Sequence, residues 1–370
     1  MVQIGIVRRC ENNVERNDYM PVSNEGILHV SRDVRGLLKR PIASTLLHKA
    51  SGEGNLDLAK EILNGGLLNV NTRGSYGLTP LMWAALNGHY YVFEYLKQEG
   101  GDMTLKDSDG DSILSMACVG GNMDIVKYVF LREPTLINRQ RSDGRTALMW
   151  AASRGNTTVF EYLLDRKATP SLDDNDGNNI LHYACYGGHI DIVKCVIDQT
   201  TLNINTSDLL GRTALMIAAT YGHKEVFDLL VGKDSDDISH KDKEGNNILH
   251  AACRGGHVEM VKHILSQGLV DINSQGQEGK TPLLLAVHWE QGAVFNLLVS
   301  RKADLLQVDY NGNNILHLAC EIGSMEIVKY VMSQKSLDIK ARNIQGETAS
   351  MVAKRKHHMD LYNFLVSKEG

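Results

Sequence analysis

The sequence lacks several features that mark whole classes of protein. None of its apolar runs approaches the ~20 residues that a membrane-spanning helix needs, and the N-terminus has no long apolar segment followed by a small-residue cleavage site. The formal net charge is -5 over 370 residues, so no strong overall field favours nucleic acid or an anionic membrane. We therefore expect no nucleic-acid partner and no membrane association.

Cysteine is scarce, with 6 residues in the chain. Cys118, Cys185, Cys253 and Cys320 recur at intervals of 67, 68 and 67 residues, which is two of the repeats described below. Since helical layers pack ~8–10 Å apart, equivalent residues two layers apart lie about 20 Å from each other, whereas a disulfide needs Cα atoms within about 7 Å. These cysteines are predicted to be buried and unpaired, which favours a cytoplasmic or nuclear protein.

Sequence signatures of catalysis and metal binding are missing as well. Gly279-Lys280-Thr281 resembles the end of a phosphate-binding loop, but Ser274 stands where that motif needs Gly, and Pro282 follows directly. The histidines include no His-x3-His helix, and no Cys-x2-Cys pair accompanies them. We expect no catalytic residue, no cofactor and no metal site.

What the sequence does contain is a repeat. A Thr, Ser or Asn precedes an apolar segment ten times, with successive spacings of 34, 33, 34, 33, 34, 34, 34, 33 and 34 residues. The period predicts stacked supersecondary units, each in contact with its neighbours. The marker residues are Thr45, Thr79, Ser112, Thr146, Asn179, Thr213, Asn247, Thr281, Asn314 and Thr348.

Each repeat is predicted to form a turn, a helix, a glycine and a second helix. In the fourth repeat, Thr146 is the expected N-cap, Gly155 ends the first helix in the left-handed conformation, and Thr157 to Asp165 form the second helix. The apolar residues of the second helix share one broad face. Because neither helix can bury its apolar side alone, the sequence predicts an all-α repeat solenoid with projecting turns.

Several of these segments resemble the ankyrin-repeat family. Thr79 to Ala84, TPLMWA, differs by one residue from the family signature T-P-L-H-x-A, and the segments Thr45 to Ala50 and Asn247 to Ala252 keep its His. The resemblance covers residues 43–370. It implies a stack of helix-turn-helix units with β-turn or hairpin fingers and a concave recognition face, and it names no partner.

The chain is predicted to divide into an N-terminal extension, residues 1–42, and ten repeats over residues 43–370. In the extension, Ser31 to Lys39 is predicted to form a helix that covers the first repeat and stops at Pro41. The last repeat is expected to be a C-terminal cap, because Lys354 replaces a buried Ala or Cys and His357 replaces a Gly. Two capped ends favour a monomer.

A second rhythm extends over two repeats. Odd repeats tend to place His, Cys and Val at three core positions, such as His182, Cys185 and Val193, whereas even repeats place Met, Ala and Phe there. Since close-packed interiors conserve volume, packing is predicted to be specified over pairs of repeats.

The eighth repeat departs from the repeat pattern at one position. Glu290 replaces the Gly that ends the first helix elsewhere, at a cost of about 1 kcal/mol if the residue is left-handed.

Partner contact is predicted at the turn tips and just after the first helices, where the fold does not require apolar side chains. These positions are more aromatic than a solvated surface needs, and interface hot spots favour Tyr, Trp and Arg. The candidate partner-binding residues are Tyr76, Leu86, Trp150, Arg154, Tyr186, Tyr221, Arg254, Trp289, Tyr310 and Ile322. Trp150 lies one turn deeper than the others, where core packing is the favoured alternative.

These observations favour a non-enzymatic scaffold or adaptor that binds a protein partner on a concave face. The resemblance leaves two alternatives open, a substrate receptor of a ubiquitin ligase and a regulatory ankyrin domain of a longer channel or enzyme. It also suggests hydroxylation at the repeat-end asparagines, which are Asn71, Asn138, Asn205 and Asn273.

Overall fold

The computed structural model describes residues 40–66, 68–233, 236–334 and 337–369. These residues form twenty α-helices arranged as ten consecutive pairs, and the one β-type pairing among them is an isolated antiparallel bridge between Ser207 and Thr213. The predicted all-α repeat architecture is confirmed. The helix predicted over Ser31 to Lys39 lies outside the described residues.

Two compact units divide the chain after Ser108. In the N-terminal unit, the first helices α1 and α3 pack against each other, and each packs against the second helix of its own repeat, α2 or α4. The bounds are α1 (Arg40–Glu53), α2 (Leu56–Asn64), α3 (Pro80–Leu86) and α4 (Tyr90–Gln98).

The C-terminal unit contains the remaining eight pairs of described helices, and its first helices also pack each against the next. The bounds are α5 (Ile113–Gly120), α6 (Met123–Arg132), α7 (Ala147–Arg154), α8 (Thr157–Asp165), α9 (Ile180–Gly187), α10 (Ile190–Gln199), α11 (Ala214–Tyr221), α12 (Lys224–Lys233), α13 (Ile248–Gly255), α14 (Val258–Ser266), α15 (Pro282–His288), α16 (Gly292–Ser300), α17 (Ile315–Ile322), α18 (Met325–Ser333), α19 (Ala349–Arg355) and α20 (Met359–Glu369).

Polar marker residues start the first helices. From Thr79 to Thr348, nine of the ten markers are N-caps whose side-chain oxygen accepts a hydrogen bond from a backbone N–H in the first turn. Such a cap stabilises a helix by about 1 kcal/mol. Thr45 is the exception, because α1 begins at Arg40 and Thr45 lies inside it. Pro41 lies in the first turn of α1, where a proline replaces an N–H that needs no partner.

The turns between repeats form projecting fingers. Within each unit, hydrogen bonds connect neighbouring fingers. The N–H of Ser108 donates to the carbonyl of Tyr76 over 2.8 Å, and equivalent bonds join later fingers, for example from Leu209 to Asp176 over 2.7 Å. Between the fingers that precede Asn247 and Thr281, the N–H of Gln277 donates instead to the side chain of Asn246, over 2.9 Å. The fingers are therefore held as ladders of adjacent turns.

The core alternates as the two-repeat rhythm predicts. The even repeats bury Phe93, Phe160, Phe227 and Phe295, and the odd repeats bury Val126, Val193, Val261 and Val328 at the same position. The four periodic cysteines are fully buried and unpaired, as predicted.

Three residues that depart from the repeat pattern are also placed by the structure. Lys354 in the tenth repeat is exposed. Glu290 and His357 replace helix-ending glycines and adopt left-handed φ angles of 58° and 63°.

Candidate functional site

The ends of the first helices in the C-terminal unit carry a series of bulky side chains. We name it the helix-end row and define it by Tyr186, Tyr221, Arg254 and Trp289. Tyr186 and Arg254 are the penultimate residues of α9 and α13, Tyr221 is the last residue of α11, and Trp289 directly follows α15. All four side chains are partly exposed, so they belong to the surface of the unit.

The first two residues of the row form an aromatic pair. The ring centroids of Tyr186 and Tyr221 are 4.6 Å apart and their planes meet at 83°, an edge-to-face contact between the fifth and sixth repeats. The imidazole of His223 lies 6.5 Å from the Tyr221 ring and nearly parallel to it. His223 donates from Nε2 to the carbonyl oxygen of Tyr186 over 2.9 Å. Burial lowers the pKa of His223, which favours the neutral imidazole in this contact.

The next two residues form a cation–π pair. The guanidinium of Arg254 lies 5.7 Å from the centre of the Trp289 ring, and its Nη2 is 3.3 Å from a carboxylate oxygen of Glu244. The corresponding junction two repeats further on contains an ion pair, since Lys356 Nζ lies 2.8 Å from Glu321 Oε1. The fifth, seventh and ninth repeats are thus each joined to the following repeat by one surface pair, which is aromatic at the first junction, cation–π at the second and ionic at the third.

Glycines explain why these side chains come together. At the position before the left-handed residue that ends the first helix, the sixth and eighth repeats carry Tyr221 and Trp289, whereas the odd repeats before them carry Gly187 and Gly255. A Cβ atom at Gly187 would overlap the carbonyl oxygen of Ser153, and one at Gly255 would overlap that of Thr220. The absent side chains allow the fifth and seventh repeats to pack closely on the even repeat before each of them.

Two of the predicted contact residues lie mostly inside the stack. Leu86 and Trp150 are each 7% exposed. The indole Nε1 of Trp150 donates to Asp111 over 3.3 Å, and the guanidinium of Arg145 lies 4.9 Å from the Trp150 ring. For these two residues the structure favours packing over partner contact, because little of either side chain is accessible.

The other predicted residues are more accessible and are not among the four that define the helix-end row. Tyr76 and Tyr310 are on finger tips, 67% and 70% exposed, and Tyr76 has a left-handed φ of 56°. Arg154 is exposed at the end of α7. Ile322 is the last residue of α17 and lines a cavity between the eighth and ninth repeats.

The repeat-end asparagines connect neighbouring repeats within a unit. The side-chain oxygen of Asn71 accepts from the N–H of Asp102 over 2.8 Å, that of Asn138 from Thr169 over 2.8 Å, and that of Asn273 from Asp304 over 2.9 Å. These bonds give the residues a structural role. Hydroxylation at Asn71, Asn138, Asn205 and Asn273 stays a prediction.

Sequence reasoning missed a charged network on the fingers of the C-terminal unit. Arg141, 8% exposed, contacts Asp109 at 3.1 Å, Asp111 at 3.1 Å and Asp143 at 3.3 Å. The sequence could have indicated this network, because Asp109 and Asp143 occupy equivalent finger positions 34 residues apart. The network fixes the fingers at the start of this unit by pairing every buried charge.

The described cysteines offer no accessible nucleophile. Cys118, Cys185, Cys195, Cys253 and Cys320 are buried, and burial raises the pKa of the Cys320 thiol to about 12. Within the described ranges, no three His, Cys, Asp or Glu residues are grouped so as to hold a metal ion. No helix of the described chain combines the length and apolarity that crossing a bilayer requires.

Comparison with known families gives matches along most of the chain. The family described as "Ankyrin repeats (3 copies)" matches residues 27–107, 91–174, 166–242, 234–309 and 294–370. These five overlapping segments contain all ten marker residues.

Three similar curated proteins come from two yeasts and a plant. Palmitoyltransferase AKR1 of Lachancea kluyveri is 31% identical over 172 residues, which cover 45% of this chain and 22% of that protein. Palmitoyltransferase AKR1 of Saccharomyces cerevisiae is 27% identical over 195 residues, 42% of this chain and 26% of that protein. Protein ACCELERATED CELL DEATH 6 of Arabidopsis thaliana is 30% identical over 138 residues, 33% of this chain and 21% of that protein. The chain thus spans about a fifth to a quarter of the length of these relatives.

These similarities correct the functional prediction. The chain was expected to be a non-enzymatic scaffold, yet relatives that match over its repeats are named palmitoyltransferases. The prediction of a protein without enzymatic function is therefore wrong, and the names of these relatives point instead to an ankyrin domain that belongs to an enzyme. Sequence reasoning reached this only as an alternative, because the repeats themselves contain no signature of acyl transfer.

Proposed function

The chain belongs to the ankyrin-repeat family, and we propose that it is the substrate-binding part of a protein palmitoyltransferase. The observation that carries the proposal is that two relatives named for palmitoyl transfer match over the repeats described above. In this proposal the repeats bind the protein that is to be acylated, and the helix-end row is the contact surface.

The side chains of the row support a role in polypeptide binding. Tyr, Trp and Arg are the residue types that most often dominate binding energy in protein interfaces. Tyr186, Tyr221 and Trp289 are each held by a neighbour in the adjacent repeat. Since the rings are already ordered in the free protein, binding a partner costs less conformational entropy than it would with mobile side chains.

The proposal assigns binding, and not the transfer step, to these repeats. Forming a thioester requires a thiolate nucleophile, and the described cysteines are buried, with pKa values raised by desolvation. The helix-end row contains Tyr, Trp and Arg side chains, which suit recognition of a polypeptide. The acyl-transfer groups are therefore placed outside the row.

The test is to capture proteins from a cell lysate with the full chain and measure their thioester-linked acyl groups by hydroxylamine-dependent exchange. We expect captured proteins to be enriched in S-acylation relative to the lysate. The triple variant Tyr186→Ala, Tyr221→Ala and Trp289→Ala should lose them, because it removes the three aromatic contact residues.

A matched control is Lys194→Ala with Lys262→Ala, which changes two side chains on second helices that are each 53% exposed. This variant should capture the same proteins as the unmodified chain. Captured proteins with no more S-acylation than the lysate would overturn the link to palmitoyl transfer. Equal capture by the triple variant would overturn the assignment of the row.

A further inference from the structure

A cavity of about 340 Å³ lies between the eighth and ninth repeats, on the side of α16 and α18. Its apolar wall contains Phe295, Ile322, Ile327 and Tyr330. Phe295 and Tyr330 meet edge to face, with ring centroids 5.6 Å apart and planes at 90°. The volume is near the lower end of ligand-binding pockets, which suits a single side chain or a small organic ion.

Two departures from the repeat pattern create this space. Ile322 occupies the position of Gly187 and Gly255, which allow close packing in the earlier odd repeats. Gly292 stands at the first position of α16, where second helices of other repeats have Ile190, Val258 or Met325. A Cβ atom at Gly292 would have no other atom within 4 Å. The large residue at 322 and the missing side chain at 292 leave the cavity open.

The polar part of the lining is acidic. Glu290 and Glu326 supply two carboxylates, Asn296 and Ser324 supply neutral polar groups, and no Lys or Arg lines the cavity. Among the described residues, neither glutamate forms an ion pair within 4.0 Å. Glu290 also has a left-handed φ of 58° where most repeats use Gly. Strain of this kind at a residue that faces a cavity is a reason to look for a ligand.

We propose that the cavity binds a guanidinium group, as carried by an arginine side chain. A guanidinium is planar, stacks on aromatic rings and pairs with carboxylates through several N–H donors. Here the partly exposed ring of Tyr330, which packs on the buried Phe295, supplies the aromatic surface, and Glu290 and Glu326 supply the negative charge. An ammonium group matches the charge but not the flat aromatic contact, so lysine should bind less tightly. This inference is independent of the palmitoyltransferase proposal, because it concerns different residues and a different readout.

The experiment follows the Ile322 and Ile327 methyl signals of the full chain by NMR. The probe is N-acetyl-arginine methylamide, and the neutral control is the matching citrulline compound, which has the same shape without the charge. We expect saturable shifts at Ile322 and Ile327 with the arginine probe, at least about tenfold weaker binding of the citrulline compound, and no shift at Ile180, which is buried in the fifth repeat.

A second arm identifies the source of the guanidinium. A capped peptide with one central arginine is compared with N-acetyl-arginine methylamide and with the corresponding lysine compound. Tighter binding of the peptide supports an arginine of a polypeptide partner, and equal binding supports a free small cation. A lysine compound that binds as tightly as the arginine compound overturns the choice of guanidinium.

Two variants separate ligand binding from a structural role. Gly292→Ile restores the side chain found at position 190, fills the cavity and should abolish binding while the helical signal is retained. Glu290→Gly relieves the left-handed strain, so it should raise the midpoint of thermal unfolding and weaken binding about tenfold. Unchanged affinity in both folded variants, or no saturable shift in the unmodified chain, would overturn the proposal.

Discussion

The backbone carbonyl oxygen of Thr220 lies so close to Gly255 that any Cβ atom on residue 255 would overlap it. Ser153 and Gly187 have the same relationship two repeats earlier. An even repeat and the odd repeat after it are therefore packed backbone to backbone at the ends of their first helices. The ninth repeat, with Ile322 at this position, cannot pack in this way.

Gly255→Ala should destabilise the protein by about 1–3 kcal/mol, because the methyl group forces the two helix ends apart. The measurement is urea unfolding at neutral pH. Gly292→Ala is the matched control, since its Cβ would contact nothing and alanine stabilises a helix relative to glycine. If Gly255→Ala were as stable as the unmodified chain, the close approach of Thr220 would be refuted.

Arg141→Met should destabilise the protein by about 3 kcal/mol, because it leaves the carboxylate of Asp111, 1% exposed, without its buried partner. Equilibrium unfolding measures the loss, and adding Asp111→Asn should recover part of it by removing the uncompensated charge. Lys262→Met is the control. Its pair with Glu259 is exposed, and we expect a change of less than about 1 kcal/mol. Similar effects of the two single changes would contradict the network.

Acid should weaken the fold well before the carboxylates titrate. Burial lowers the pKa of His250 to about 4, and lowers those of His182 and His317. The unfolded state then binds more protons below about pH 6.5, so stability falls as the pH drops from about 6.5 towards 4. His250 alone should contribute roughly 3 kcal/mol at the end of that range.

The acid effect is measured by urea unfolding at pH 7 and pH 5. In the N-cap of the seventh repeat, Nδ1 of neutral His250 accepts the N–H of Asn247 over 3.3 Å. Protonation removes that acceptor and lets Nδ1 donate instead to the Asn247 side-chain oxygen, 2.7 Å away. The double variant Asn247→Thr and His250→Met adopts the cap of the even repeats, such as Thr146 with Met149. It should lose less stability at pH 5 than the unmodified chain, and an equal loss would argue against His250 as a cause.

The rings of Tyr186 and Tyr221 should be energetically coupled. A double-mutant cycle of Tyr186→Ala and Tyr221→Ala is expected to give an interaction free energy of about 1 kcal/mol, in the range of edge-to-face pairs. Tyr186→Ala with Tyr310→Ala is the control, since Tyr310 is on a finger four repeats further along the chain, and that pair should be additive within about 0.5 kcal/mol. An equal interaction free energy in the two cycles would mean that the contact between Tyr186 and Tyr221 contributes no stability of its own.

Much of the fold was predictable because its signals are local. The caps at Thr79, Thr146 and Asn247, the helix-ending glycines and the apolar faces all act within one repeat. The start of α1 was mispredicted, since the threonine at position 45 matches the period while the helix begins five residues earlier. A periodic pattern specifies equivalent positions, but the first repeat has no preceding finger among the described residues to impose the same start.

The site was predicted only in part. The positions of Tyr186, Tyr221, Arg254 and Trp289 follow from the repeat register, and their surface location is as expected. Their pairing was not predicted, and neither was the burial of Leu86. Register shows which residues are equivalent, whereas pairing and burial depend on the spacing between neighbouring repeats.

The sequence by itself therefore determined the ten helix pairs, the unpaired cysteines and the alternation of large and small core residues, because hydrogen bonds, caps and apolar periodicity act over a few residues. Only the tertiary structure decided which side chains meet across repeats. The Tyr186–Tyr221 contact and the cavity beside Ile322 depend on how closely neighbouring repeats pack. That closeness depends on whether a glycine or a larger residue lies at each junction, because a close-packed interior has no free space for an added side chain.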